Sequence, residues 1–155
     1  MLLFNSITDV INYLKTNLDD TDITLNKGAS KNQIEAVENA YNIKLPDDIR
    51  QFYEFTDGFI SDEDMFSIIP LNDVIWNKEQ RNYKELYIAE FMIYCDAWEL
   101  IVNPDSNNDY KITTIDNTND NIVLTNSFVE FLRRFLIGGL YEKDGLYDWR
   151  VQLKR

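Results

Sequence analysis

Apolar positions recur along this chain at helical spacing, then at strand spacing, then at helical spacing again. From Ser6 or Ile7 to Leu18, the residues Ile7, Val10, Ile11, Leu14 and Leu18 form one stripe, with Ser6 placed as cap and Asp9 in the first turn. Asp19 to Gly28 is a polar connection in which Ile23 and Leu25 suggest a short extended piece. Ser30 and Gln33 then stand three apart as a capping box. After them Ile34, Val37 and Tyr41 share a helical face, while Glu35, Glu38 and Asn39 turn outward. Pro46 opens a second helix, where its missing N–H costs nothing and its fixed φ helps. Ile49, Phe52, Tyr53 and Thr56 continue it, and Gly58 supplies the left-handed residue that stops it.

Strand patterns take over after Gly58. The acidic loop Ser61-Asp62-Glu63-Asp64 leads into Met65 to Ile69, a strand stopped by Pro70. Leu71 to about Tyr83 reads as a helix with Val74 and Ile75 inward, its apolar pattern fading after Trp76. Leu86 to Tyr94 is apolar apart from Glu90, as a central strand buried on both sides would be. Trp98 to Val102 is a further run, followed by a turn-rich loop from Asn103 to Asp109. Tyr110 to Ile115 alternates with β-branched residues, as an antiparallel strand should, and Asn121 to Leu124 is a short companion. Ser127 caps a last helix with Phe128, Phe131, Leu132, Phe135 and Leu136 on one face, ended by Gly138-Gly139. The tail carries Tyr141, Tyr147, Trp149, Val151 and Leu153, enough to dock back on the body.

The run Ser30 to Phe59 resembles the signature of the SUKH superfamily, also called SMI1/KNR4. That signature has an apolar residue, a Glu four positions on, a short link to Leu-Pro, and an amphipathic helix ending in Asn-Gly or a similar pair. Ile34, Glu38, Ile43, Leu45, Pro46, Phe52 and Gly58 occupy those positions, with Asp57 standing where the family more often has Asn. The resemblance implies a single α+β domain over residues 1–155, its mixed or mostly antiparallel sheet packed with several helices. It also implies a protein that is not an enzyme. Many bacterial members look like immunity proteins that bind and neutralise polymorphic toxins, and eukaryotic relatives look like regulatory scaffolds. The motif residues build a helix pair and mark no binding site.

Composition agrees with a folded domain. At 155 residues the chain can bury about two thirds of its unfolded surface, and nine Phe, nine Tyr and three Trp speak against disorder. Met1-Leu2-Leu3-Phe4 lacks the basic flank and apolar core of a signal peptide, and no run approaches the ~20 residues of a membrane span. Cys95 has no partner for an internal disulfide, which suits a reducing cytoplasm. The charge is the stronger fact: 27 acidic against 15 basic residues give a formal net charge of −12. Such a surface repels nucleic acid and anionic membranes and draws basic partners toward it.

Catalytic equipment is sparse. The chain has no histidine, which removes Ser-His-Asp and Cys-His systems and the commonest zinc sites. Cys95, inside an apolar stretch, reads as a small core residue. Asp105, Asn107, Asp109 and Asp116 mimic a calcium loop, but Tyr110 occupies the position that needs Gly, so a hairpin connection fits better. No cofactor or metal is expected. A hydrolase resting on Asp62, Glu63 and Asp64 would need a buried pair, whereas adjacent loop residues point into water. As a docking patch for a cationic partner the same three fit well, extended by Asp96, Glu99 and an exposed indole of Trp76 or Trp98. Each tryptophan also reads as core. The expected partner is a cognate toxin with a basic active-site face, a nuclease for example. The alternative is a regulatory protein-interaction module.

Overall fold

The structure, a computed structural model, describes residues 2–116 and 118–155; Met1 and Asn117 lie outside it. Among the described residues are six α-helices and one seven-stranded sheet. The order is α1 (Ile7–Asn17), β1 (Ile23–Leu25), α2 (Lys31–Tyr41), α3 (Asp47–Phe55), β2 (Phe59–Ser61), β3 (Phe66–Ile68), α4 (Leu71–Gln80), β4 (Tyr87–Phe91), β5 (Asp96–Asn103), β6 (Ser106–Ile115), β7 (Asn121–Thr125), α5 (Phe128–Gly138) and α6 (Leu146–Lys154). The strands pair antiparallel in chain order from β1 to β7, with α2, α3 and α4 inserted between them. The fold is α+β, as the sequence pattern and the family resemblance both imply.

One face of the sheet carries the core. Phe59, Phe66, Ile68, Ala89, Trp98, Leu100 and Ile112 are buried at alternate strand positions, the period of a strand with one covered side. Phe52 of α3 and Phe128, Phe131 and Phe135 of α5 meet them. The Phe66 and Phe135 rings stack with centroids 4.2 Å apart, and Trp98 stands edge-on to Phe66 at 5.5 Å. No helix among the described residues is long and apolar enough to cross a membrane.

The signature segment folds as its residues predict, with one correction. Ser30 Oγ accepts from Gln33 N and Gln33 Oε1 accepts from Ser30 N, the reciprocal capping box. Gly58 has φ +75°, and a Cβ there would collide with the Ile68 carbonyl oxygen, so no side chain fits. The preceding Asp57 accepts from Leu71 N at 2.8 Å and so caps α4 across the turn. Glu38, expected outward, is instead buried. Its Oε2 accepts from Leu45 N at 2.7 Å and from Arg50 at 2.6 Å. Helical spacing places Glu38 one turn after Ile34, at the edge of the apolar face. Donors from the linker and α3 then replace the water it loses.

Other boundaries move for identifiable reasons. Phe59–Ser61 forms a strand of its own, so the acidic residues 62–64 sit in the turn of a β2–β3 hairpin. The run from Leu86 to Tyr94 is not one strand. β4 ends at Phe91, and Met92, Ile93 and Tyr94 turn with φ values of 51°, 54° and 63°. The expected loop from Asn103 to Asp109 is mostly strand, because a tight hairpin pairs Asn103 with Ser106. Asn107 and Asn108 then bond the start of α3 through Leu45 O and Asp47. The tail docks back as expected, but as helix α6 on α5 and β7.

Candidate functional site

Two acidic surfaces stand out, and they divide the residues that the sequence singled out. The first lies around the β2–β3 turn. Asp62 and Glu63 are exposed and Asp64 is half-buried. Asp22, just before β1, accepts from Ser61 Oγ at 2.8 Å and from Glu63 N at 2.7 Å, which fixes the turn. Asp64 lies against Gly139, near the backbone N–H of Leu140. Its carboxyl is pushed above the usual range, chiefly by burial and further by Asp22 and Glu142. Asp20, Asp22, Glu63, Asp64 and Glu142 together line a cleft of about 300 Å³ whose lining, among the described residues, contains no cation.

The second surface is a wider cleft of about 640 Å³ over β4, β5 and β6. Glu85, Asp96, Glu99 and Asp116 supply its carboxylates, Tyr87 and Tyr94 its rings, and Arg150 its one cation. Asp96 is engaged: Tyr147 Oη donates to it at 3.0 Å and Arg150 at 3.5 Å. Asp116 is held far below the usual carboxylate range, first by the Lys154 ammonium and then by Thr118. Glu99 has weaker company. Burial and the neighbouring Glu85 push its carboxyl up, against a long bond from Thr113 and the charge of Lys111. No group of three or more acidic or cysteine side chains among the described residues is arranged to hold a metal ion.

The tryptophans part company. Trp76 is 54% exposed on α4 but lines neither cleft. Trp98 is 1% exposed and packed among Phe66, Phe131 and Tyr147, so it presents no anchor to a partner, and its place in the docking patch is withdrawn. Cys95, expected in the core, is exposed, because the turn before it carries it off the sheet. Sequence reading missed Asp20, Asp22 and Glu142, which only the fold brings to the Asp62–Asp64 turn. It also missed the Met92–Tyr94 turn, which has no Gly, Asn, Asp or Pro to announce it.

The raised carboxyls have a consequence for pH. Asp57, Asp64 and Glu99 all bind protons more readily folded than unfolded, mainly because of burial. In the window just above the ordinary carboxylate range the folded state then holds more protons, so stability rises as pH falls from 7 toward 5. Asp116 acts oppositely: its contribution is complete at neutral pH and is lost only under strong acid. The urea midpoint is expected to be higher at pH 5 than at pH 7, and Glu99→Gln should stabilise at pH 7 and shrink that difference. A difference unchanged in Glu99→Gln would show that Glu99 titrates normally.

Compared with known families, residues 28–134 match the model of the SMI1 / KNR4 family (SUKH-1). The chain belongs to this family. A comparison with curated proteins finds no match. The SMI1/KNR4 span runs from the residue before Ala29 into the middle of α5, so it contains both signature helices and all strands after β1. Two parts of the acidic turn lie outside it: Asp20 and Asp22 precede the span, and Glu142 follows it. The family motif itself is explained by packing. Glu38 ties α2 to the linker and α3, and Gly58 allows the turn into β2.

Proposed function

We propose that this SMI1/KNR4-family protein is an immunity protein that binds a cognate toxin in the cytoplasm and neutralises it by occupying a basic face. The observation that carries the reading is the cleft at the β2–β3 turn, where five carboxylates converge with no cation among the described lining residues. Burial raises the Asp64 carboxyl most, and repulsion from Asp22 and Glu142 adds to it. A cationic partner would relieve that repulsion. The net charge of −12 would steer such a partner in from a distance. A nuclease suits the description, because its phosphate path is basic and an acidic surface can fill it.

The binding role predicts kinetics as well as capture. Combined Asp62→Asn, Glu63→Gln and Asp64→Asn substitutions should slow association with the toxin about tenfold at low salt and flatten its salt dependence, with a smaller change in dissociation. Stopped-flow or surface-based kinetics at several ionic strengths reads this directly. Association rates that stay the same in the triple variant would remove this turn from the interface.

A further inference from the structure

Beside the acidic turn the molecule displays an apolar tip that its fold does not use. Met65 closes the β2–β3 turn, and its carbonyl accepts from Met92 N at 2.9 Å, so the 62–65 and 92–94 turns form one rim. Next to them Tyr141 stands edge-on to Phe91, with ring centroids 6.0 Å apart. Ile93 is 85% exposed, Tyr141 64%, Met65 50% and Met92 42%. A single exposed apolar residue needs no explanation, but four carried by neighbouring turns do.

The backbone adds a second and independent oddity. Met65, Met92, Ile93 and Tyr94 all have φ between 51° and 63°, the left-handed region that suits Gly or Asn. A β-branched isoleucine there is strained. The conformation is held from outside: Glu90 accepts from Tyr94 N at 2.8 Å, and Asn77 donates to Tyr94 Oη at 2.8 Å. Strain kept in place so that an isoleucine points into water contributes nothing to the core. Strain of that kind is characteristic of functional surfaces.

We infer that this rim is the docking face, and that its partner is a protein with an apolar pocket bordered by Lys and Arg. The inference rests on the binding role proposed above and gives that role a location. Met and Tyr are residues enriched in interface cores, Met because it adapts its shape to the opposing surface. Asp62, Glu63 and Asp64 precede Met65 and Glu142 follows Tyr141, so the border on the side of the β2–β3 turn is acidic, while Arg81 lies over the Tyr94 ring at 4.8 Å on the other; the complementary surface is basic beside an apolar centre. Such a centre flanked by charge is the arrangement in which a few side chains carry most of the affinity.

The test uses the full chain, expressed in its own cells with Ile93→p-benzoylphenylalanine for photo-crosslinking, and Lys84→p-benzoylphenylalanine as the exposed control. Ile93→Asn serves as the second variant, since Asn accepts the left-handed backbone without strain. Position 93 should cross-link to the protein whose toxicity the intact chain suppresses, within a segment rich in Lys and Arg. Ile93→Asn should weaken capture at least tenfold while its Tm stays level or rises by about 3 °C. Cross-links from position 84 alone, cross-links to a second copy of this chain, or undiminished capture by Ile93→Asn would each overturn the rim as the docking face. Those three results leave the immunity role standing. Only failure of the intact chain to bind any toxic protein removes that role, and the rim with it.

Discussion

Trp98→Ala is expected to destabilise the fold by about 4 kcal/mol, the largest effect of any single substitution considered. The indole is 1% exposed and touches three aromatic neighbours from three elements: Phe66 of β3, Phe131 of α5 and Tyr147 of α6. Truncation removes its own burial and also leaves a void that the surrounding rings fill only in part, the combination that makes aromatic-to-alanine changes cost about 3–5 kcal/mol. Set against a typical total of about 5–15 kcal/mol, the variant would be close to unfolding at 37 °C. Urea denaturation should show a lower midpoint with an unchanged slope. Trp98→Phe keeps much of the contact and should cost markedly less. A Trp98→Ala protein as stable as the parent would mean that the indole lies at the surface after all, where it could serve a partner.

Glu38→Ala should cost about 3 kcal/mol, by a different mechanism. The carboxylate is 4% exposed and accepts from the Leu45 N–H and the Arg50 guanidinium. Its removal strands a buried N–H and an arginine that loses its counter-charge at 2.6 Å, and bonds to charged groups are worth about 1.5–3 kcal/mol each. Because Arg50 is partly exposed and regains some water, the loss stays below that of a fully buried pair. Glu38→Gln should fall between, since an amide oxygen can still accept from Leu45 N. Equal stabilities for the Ala and Gln variants would show that the Leu45 bond contributes little and that charge alone matters. The family's glutamate thus joins two helices, and neither substitution should alter partner association in the fraction that remains folded.

How far the sequence could be read depended on where each residue's partners lie. Local chemistry was legible. The Ser30–Gln33 box, the Ser127 cap and the Gly58 turn are decided by atoms a few residues apart, and each is present. The helical face of Phe128, Phe131 and Phe135 was equally plain. What stayed hidden was set by distant partners. Glu38 looked like a solvent residue because its donors come from seven and twelve positions further on. The turn at Met92–Tyr94 was concealed inside an apolar run, since nothing in FMIYC signals left-handed backbone. Trp76 and Trp98 were indistinguishable by composition, and burial alone separates them.

The candidate site shows the same division. The acidity of Asp62, Glu63 and Asp64 was visible, but Asp20, Asp22 and Glu142 join Glu63 and Asp64 in one cleft from both flanks of the chain. Those flanks lie outside the span shared with the SMI1/KNR4 family. The family span therefore supplies the helix pair and the Asp62–Asp64 turn, and its flanks add further carboxylates to this chain's surface. Specificity for a partner can change at such a surface while the helix pair stays intact.

The most direct measurement is capture from native cell lysate with the intact protein as bait, read by mass spectrometry and followed by co-expression with what is recovered. The account predicts recovery of a toxic protein domain with a basic surface, whose activity stops when this chain is present at equal amount. Recovery of signalling or housekeeping proteins alone, with no toxicity to suppress, would contradict it.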